Sequence, residues 1–106
     1  MSHDISIILP AKNEAESLEK LLPKLRRAFP DEEIIVVDDG STDTTIDICN
    51  QNDVRVISHV YSMGNGAAIK TGTRNATGNI LVFMDADGQH TPDDIQKLID
   101  KIIKWF

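Results

Sequence analysis

Glu33-Ile34-Ile35-Val36-Val37-Asp38-Asp39-Gly40-Ser41 decides the architecture. The run is too short and too β-branched for a helix, so 33–38 reads as a strand that is apolar on both faces. Strands of this kind belong to parallel sheets covered by helices on both sides. This one stops on two adjacent carboxylates and a Gly-Ser turn. Ser41 or Thr42 is then placed to cap a helix carrying Ile46 and Cys49.

The same alternation continues in both directions. Upstream, Ile5-Ser6-Ile7-Ile8-Leu9 reads as a buried strand stopped by Pro10, which has no N–H for a ladder. A helix is expected from residue 14, with Asn13 as N-cap and Glu16 completing a capping box. Its stripe is Leu18, Leu21, Leu22, Leu25 and Phe29, and Pro23 predicts a kink or restart near Leu22. Downstream, a weaker strand covers 54–57, and Gly64-Asn65-Gly66 opens a helix through Ala67, Ala68, Ile69 and Gly72. A fourth strand covers 79–84. Thr91-Pro92-Asp93-Asp94 then combines a Thr cap, Pro at the first helical position and acids in the first turn. The stripe that follows is Ile95, Leu98, Ile99, Ile102 and Ile103. The pattern predicts an α/β fold, a mainly parallel sheet of about four strands between helices, in one domain over 1–106.

Composition narrows the function. The 106 residues hold 11 Lys and Arg against 17 Asp and Glu, a net charge of −6, which argues against nucleic-acid binding. No apolar run approaches the roughly 20 residues that span a bilayer. The single cysteine, Cys49, cannot close an internal disulfide, so a reducing, cytoplasmic setting is expected. The final helix runs into Trp105-Phe106 without a Gly, a cationic turn or a polar tail, so the chain reads as cut from something longer after this helix.

In open α/β sheets, ligands bind beyond the carboxyl ends of the strands. Polar residues accumulate there: Pro10-Ala11-Lys12-Asn13-Glu14, then Asp38-Asp39-Gly40-Ser41, then Asp85-Ala86-Asp87-Gly88-Gln89-His90. Alternate residues of an extended segment point the same way, so Asp85, Asp87 and Gln89 can meet on one side. Oxygen donors of this type suit Mg²⁺ or Mn²⁺, with substrate phosphates completing the shell. A polar turn capping the last helix would account for the segment without using Asp85 or Asp87. Asp38 and Asp39 divide naturally into one acid that ends the strand and one that accepts hydrogen bonds from a base or ribose. The Gly64 segment lacks the third glycine of a dinucleotide fingerprint, and no phosphate loop of the G-x-x-x-x-G-K-[ST] type is present. Lys70 reads as solvated and Cys49 as core. His3, His59 and His90 show no metal-ligand spacing.

Taken in order, Ile7-Ile8-Leu9-Pro10-Ala11-Lys12-Asn13-Glu14, Val36-Val37-Asp38-Asp39-Gly40-Ser41-x-Asp43, Ala76-Thr77-Gly78 and Met84-Asp85-Ala86-Asp87-Gly88-Gln89-His90 resemble the family 2 glycosyltransferases of the GT-A fold. Within that family the likeness is to the dolichyl-phosphate mannosyltransferase-like branch. The resemblance implies a Rossmann-like three-layer α/β/α domain with strand order 3-2-1-4, forming the half that binds the nucleotide-sugar donor. It also implies inverting transfer from a GDP- or UDP-sugar to a polyprenyl phosphate, assisted by Mg²⁺ or Mn²⁺. Pro10, Lys12 and Glu14 would border the nucleotide, Val37 and Asp39 would hold base and ribose, and Asp85 and Ala86 would flank ribose and diphosphate. Asp87 and Gln89 would hold the cation, which makes Asp87 the catalytic position. Lys12 departs from a frequent aromatic and Gly88 from a frequent apolar residue.

Members of that family continue well past the D-x-D segment, and the remainder supplies the acceptor site. The chain alone is therefore expected to transfer no sugar, and the complete protein to work at the cytoplasmic face of a membrane. The alternative is a nucleotide- or metal-binding module without catalysis. A receiver or a dehydrogenase would place its acids or glycines after strand one instead. With order 3-2-1-4 the fourth strand is an edge without Pro or Lys, so a homodimer, or concentration-dependent oligomers, joined through that strand and the last helix is expected.

Overall fold

The computed structural model describes residues 4–88 and 91–104, with the backbone alone at 98, 99 and 101–104. Gln89, His90, Trp105 and Phe106 lie outside the described residues. The elements are β1 (Ile5–Ala11), α1 (Ala15–Ala28), β2 (Glu33–Asp39), α2 (Thr45–Gln51), β3 (Arg55–His59), α3 (Asn65–Asn75), β4 (Ile80–Phe83) and α4 (Pro92–Lys104). The sheet is parallel throughout, in the expected order β3-β2-β1-β4.

Strand alternation builds the three layers. Ile5, Ile7, Leu9 and Ala11 of β1 and Ile34 and Val36 of β2 pack with Leu18, Leu21, Leu22 and Leu25 of α1, Cys49 of α2 and Ile95 of α4. The intervening residues Ile8, Ile35 and Val37 pack with Ala68 of α3 on the opposite face. Each fully buried leucine contributes roughly 1.5–3 kcal/mol of apolar burial. A Cβ on Gly72 would fall inside the van der Waals envelope of Ile8 Cγ2 and lie 3.3 Å from Val37 Cγ2, so a glycine lets α3 lie close on the sheet.

Several local expectations are corrected. β1 does not stop at Pro10 but runs on to Ala11, with Pro10 opposite Val37 of β2. Residues 8 and 10 direct their backbone groups to the same neighbour, and Ile8 O already accepts from Met84 N on the β4 side. β4 ends at Phe83, so the missing N–H of Pro10 faces no ladder. Pro23 sits inside one uninterrupted α1, not at a restart. It lies on the exposed side, as does Glu19, so water can satisfy the carbonyl that Pro23 leaves unbonded. Asn13 is not the N-cap of α1: the cap position is Glu14, and Asn13 takes a left-handed φ of 55°. Neither Ser41 nor Thr42 caps α2; Asp43 Oδ1 accepts from Thr45 N at 3.0 Å and from the Thr45 hydroxyl. At α4 the expected cap is present. Thr91 N donates to Asp94 Oδ2 at 3.0 Å, and Asp94 N donates to Thr91 Oγ1 at 3.2 Å.

Candidate functional site

The acid pair that ends β2 is separated by the strand's own alternation. Asp38 shares the parity of Val36 and turns toward α2, where its Oδ1 accepts from Ser41 N at 3.2 Å. Its charge and burial together push the Cys49 thiol up to about 11, burial being the larger cause. Asp39 shares the parity of Val37 and turns toward α3. Two neighbouring carboxylates thus avoid repulsion by facing opposite layers.

Asp39 is the hub of the α3 side. Its Oδ1 accepts from His59 Nδ1 and Met63 N, both at 2.8 Å. Its Oδ2 accepts from Ser62 Oγ at 3.0 Å and Gly64 N at 2.9 Å. His59 is brought here by register, because Asp39 and His59 are partners across β2 and β3. Burial raises the Asp39 carboxyl, but the bonds from His59, Met63, Gly64 and Ser62 outweigh it and hold the group well below the usual carboxylate range.

A cleft of about 450 Å³ opens at the carboxyl end of the sheet. Pro10, Lys12 and Glu14 form one wall, Asp39 and Ser62 another, and Gly64, Asn65 and Ala68 bring the start of α3 to it. Asp85, Ala86 and Asp87 close the third side. Beyond β4 the alternation persists: Met84 and Ala86 are buried, while Asp85 and Asp87 are exposed and line the same cleft.

Of the residues singled out from sequence, Pro10, Lys12, Glu14, Asp39, Asp85, Ala86 and Asp87 converge on this cleft. Val37 does not. Its side chain is fully buried beneath α3 and packs with Ile8, Ile35 and Ala68. Gln89, the second expected cation ligand, lies outside the described residues. Ser62, Gly64 and Asn65 were not anticipated as cleft residues. The signal for them is the β2–β3 register, which sets the chain after His59 beside Asp39.

The donor set suits a hard divalent cation. Glu14, Asp39, Asp85 and Asp87 line the cleft together with Lys12, the one cationic side chain among the lining residues. The segment is not the extended one expected, because the chain turns at 86–88, but Asp85 and Asp87 both line the cleft and supply two carboxylates, leaving positions for phosphate oxygen. Among the described residues no group of three or more His, Cys, Asp or Glu side chains is clustered for a metal, so the shell would need other ligands.

A family model described as "Glycosyl transferase family 2" matches residues 6–105. The chain belongs to glycosyltransferase family 2. A family relative, dolichol-phosphate mannosyltransferase of Pyrococcus furiosus, is 38% identical over 104 residues, covering 92% of this chain and 30% of the relative. An undecaprenyl-phosphate 4-deoxy-4-formamido-L-arabinose transferase of Enterobacter sp. is 33% identical over 109 residues, covering 93% and 33%. The chain thus spans about a third of the length of these curated relatives. Among solved structures, a mannosyltransferase from Pyrobaculum calidifontis in complex with GDP-Man and Mn²⁺ superposes with a TM-score of 0.73 at 28% identity, covering 82% of this chain and 28% of that one. Glucosyl-3-phosphoglycerate synthase from Mycobacterium tuberculosis, in complex with Mn²⁺, UDP and glucosyl-3-phosphoglycerate, gives 0.80 at 27% identity, covering 94% and 39%. The family 2 fold is therefore the GT-A type, with the sheet order found here. No helix among the described residues is long and apolar enough to cross a membrane.

Proposed function

We propose that this chain is the donor-binding part of a family 2 enzyme that passes a sugar, with inversion, from a nucleoside diphosphate to a polyprenyl phosphate. The observation that carries this is the 450 Å³ cleft at the strand ends, lined by four carboxylates and one lysine. A diphosphate entering so acidic a cleft needs a divalent cation between it and the protein. Asp85 and Asp87 would hold that cation, with Gln89 as an expected third donor, and Asp87 is the position assigned to catalysis. When bound, the cation supplies charge neutralisation to the departing diphosphate. Pro10, Lys12 and Glu14 border the nucleotide, and Lys12 offers its ammonium to phosphate oxygen. The start of α3 adds backbone N–H groups at the positive end of an 11-residue helix. The names of the curated relatives support a polyprenyl phosphate as acceptor. That acceptor is already anionic, which lessens the need for a general base, and it sets the reaction at the cytoplasmic face of a membrane.

Calorimetric titration of GDP and UDP, with and without Mn²⁺, tests the reading. Binding that strengthens with Mn²⁺, and loses that gain in Asp87→Ala, is the expected result. Equal affinity with metal, without metal and in Asp87→Ala would remove the cation from the site. Nucleotide binding in a full-length relative carrying this segment, without any transfer, would favour a non-catalytic module. The 106-residue chain alone is expected to make no lipid-linked sugar.

Self-association along β4 is proposed with it. Among the described residues β4 pairs only with β1, and its Phe83 is 47% exposed. Val82 is 5% exposed and faces the α1 layer, so Phe83→Lys is the substitution that spares the core. Light scattering should show a concentration-dependent dimer that Phe83→Lys weakens; a clean monomer at high concentration removes the idea.

A further inference from the structure

The chain between β3 and α3 turns apolar side chains to water. Val60 is 98% exposed, Tyr61 69% and Met63 53%, three of the five large apolar side chains that stand exposed among the described residues. Single exposed apolar residues are ordinary, but a cluster within four positions marks a contact surface. The loop is anchored beneath them. Ser62 Oγ, Met63 N and Gly64 N all donate to Asp39, and Gly40 lets the β2 turn lie so close that a Cβ there would stand 2.6 Å from Ser62 N. The backbone is thus tied to the sheet while Val60, Tyr61 and Met63 project from it.

The charge around this loop is opposite to that of the whole chain. The chain has 17 acids and a net charge of −6, yet no Asp or Glu lies between Asp53 and Asp85, a stretch that holds Arg55, Lys70 and Arg74. Arg55 is engaged: its Nη1 donates to Asn75 O at 2.7 Å and lies 3.7 Å from Glu33 Oε2. Lys70 and Arg74 are exposed one turn apart on α3, and neither forms an ion pair among the described residues. Apolar and aromatic tips beside unpaired cations suit an anionic lipid surface, where the tips enter the acyl boundary and the cations stay with the phosphates. A second copy meeting this patch about a two-fold axis would bring like charges together.

We propose that Val60, Tyr61 and Met63, with Lys70 and Arg74, form a docking surface for a membrane of anionic phospholipid. This rests on the lipid-acceptor reading above. Gly64, Asn65 and Ala68 of the same loop and helix line the donor cleft, so docking here holds the cleft beside the headgroups.

Co-sedimentation of the 106-residue chain with vesicles of phosphatidylcholine, alone or mixed with phosphatidylglycerol, tests the surface. The mixed vesicles should bind the chain, and binding should fall as salt is raised. Tyr61→Ser with Met63→Ser, and separately Lys70→Ala with Arg74→Ala, should each weaken it roughly tenfold or more. Phe83→Lys, on the β4 edge, should bind as wild type. No binding by the wild-type chain, unchanged binding in either pair, or loss in Phe83→Lys overturns the proposal. Circular dichroism checks each fold, and Val60→Asp replaces the Tyr61 and Met63 pair if that pair does not fold. Because Cys49 is buried, a polarity-sensitive dye can be placed on Val60→Cys alone, and it should brighten when vesicles are added. A dye already shielded in a longer protein carrying this chain, or a dimer lost in the Tyr61 and Met63 pair, gives the patch another occupant and overturns the proposal. Titration with GDP, UDP and Mn²⁺ is read separately. Vesicle binding without nucleotide binding removes the donor reading, and nucleotide binding without vesicle binding removes the docking surface.

Discussion

Asn13 and Asp43 organise each other's loops. Asn13 Oδ1 accepts from Asp43 N at 3.3 Å and from Thr42 N at 2.8 Å, while Asp43 Oδ2 accepts from Ala15 N, in the first turn of α1, at 3.2 Å. Ser41 Oγ completes the exchange by accepting from Asn13 N at 2.9 Å. The loops that follow β1 and β2 thus hold one another, and the first of them carries Lys12 and Glu14 into the cleft.

Asn13→Ala should therefore destabilise the chain by about 1–2 kcal/mol, through loss of the acceptor and a left-handed backbone that alanine resists. Asn13→Gly keeps the backbone geometry and loses only the acceptor, so its cost should be smaller. Urea unfolding of the three proteins measures the difference.

Acid should weaken the fold through Asp39 and Asp43. Burial raises the Asp43 carboxyl, but the Thr45 hydroxyl and the Ala15 and Thr45 N–H groups lower it further. For both acids the folded value lies below the unfolded one. Their contribution is thus complete above the unfolded value, near pH ~4, and is lost as pH falls toward the folded values. Urea midpoints between pH 6 and pH 2 should decline on the acid side. The decline should flatten in Asp39→Asn and in Asp43→Asn.

Two glycines of α3 should respond with opposite sign. Gly72→Ala drives a methyl into Ile8 and Val37, both fully buried, and should cost about 1–3 kcal/mol despite the better helix propensity. Gly66→Ala meets nothing within 4 Å and should be neutral or stabilising by up to about 1 kcal/mol. Thermal unfolding of the pair checks both signs.

Cys49 should be inert in the native state. It is fully buried, and burial with the nearby Asp38 charge pushes its thiol up to about 11. A disulfide reagent at pH 8 should label it only as fast as the chain unfolds, and urea should release the reaction.

The strands, their order and the convergence of Pro10, Lys12, Glu14, Asp85 and Asp87 were legible because each depends on short-range pattern: an apolar run, a polar end, alternation. Asn13 was misread for a physical reason. Asn before an acidic helical turn fits an N-cap and fits the left-handed conformation equally well, and only its partner about 30 residues away distinguishes them. The Asp39 hub was hidden in the same way. Its donors lie 20 to 25 residues on, and they become neighbours only once β2 and β3 are in register.

β1 is made first and enclosed last. Its pairing with β2 needs the chain only as far as residue 38, but its other edge pairs with β4, Ile5 opposite Ile80 and Ile8 opposite Phe83. During synthesis that edge stays open until residue 83 has left the ribosome, with Ile5, Ile7 and Ile8 already extended. Parallel pairing over such a separation forms slowly. A nascent chain stalled between α2 and β4 should therefore be the species that chaperones hold and that aggregates on overexpression.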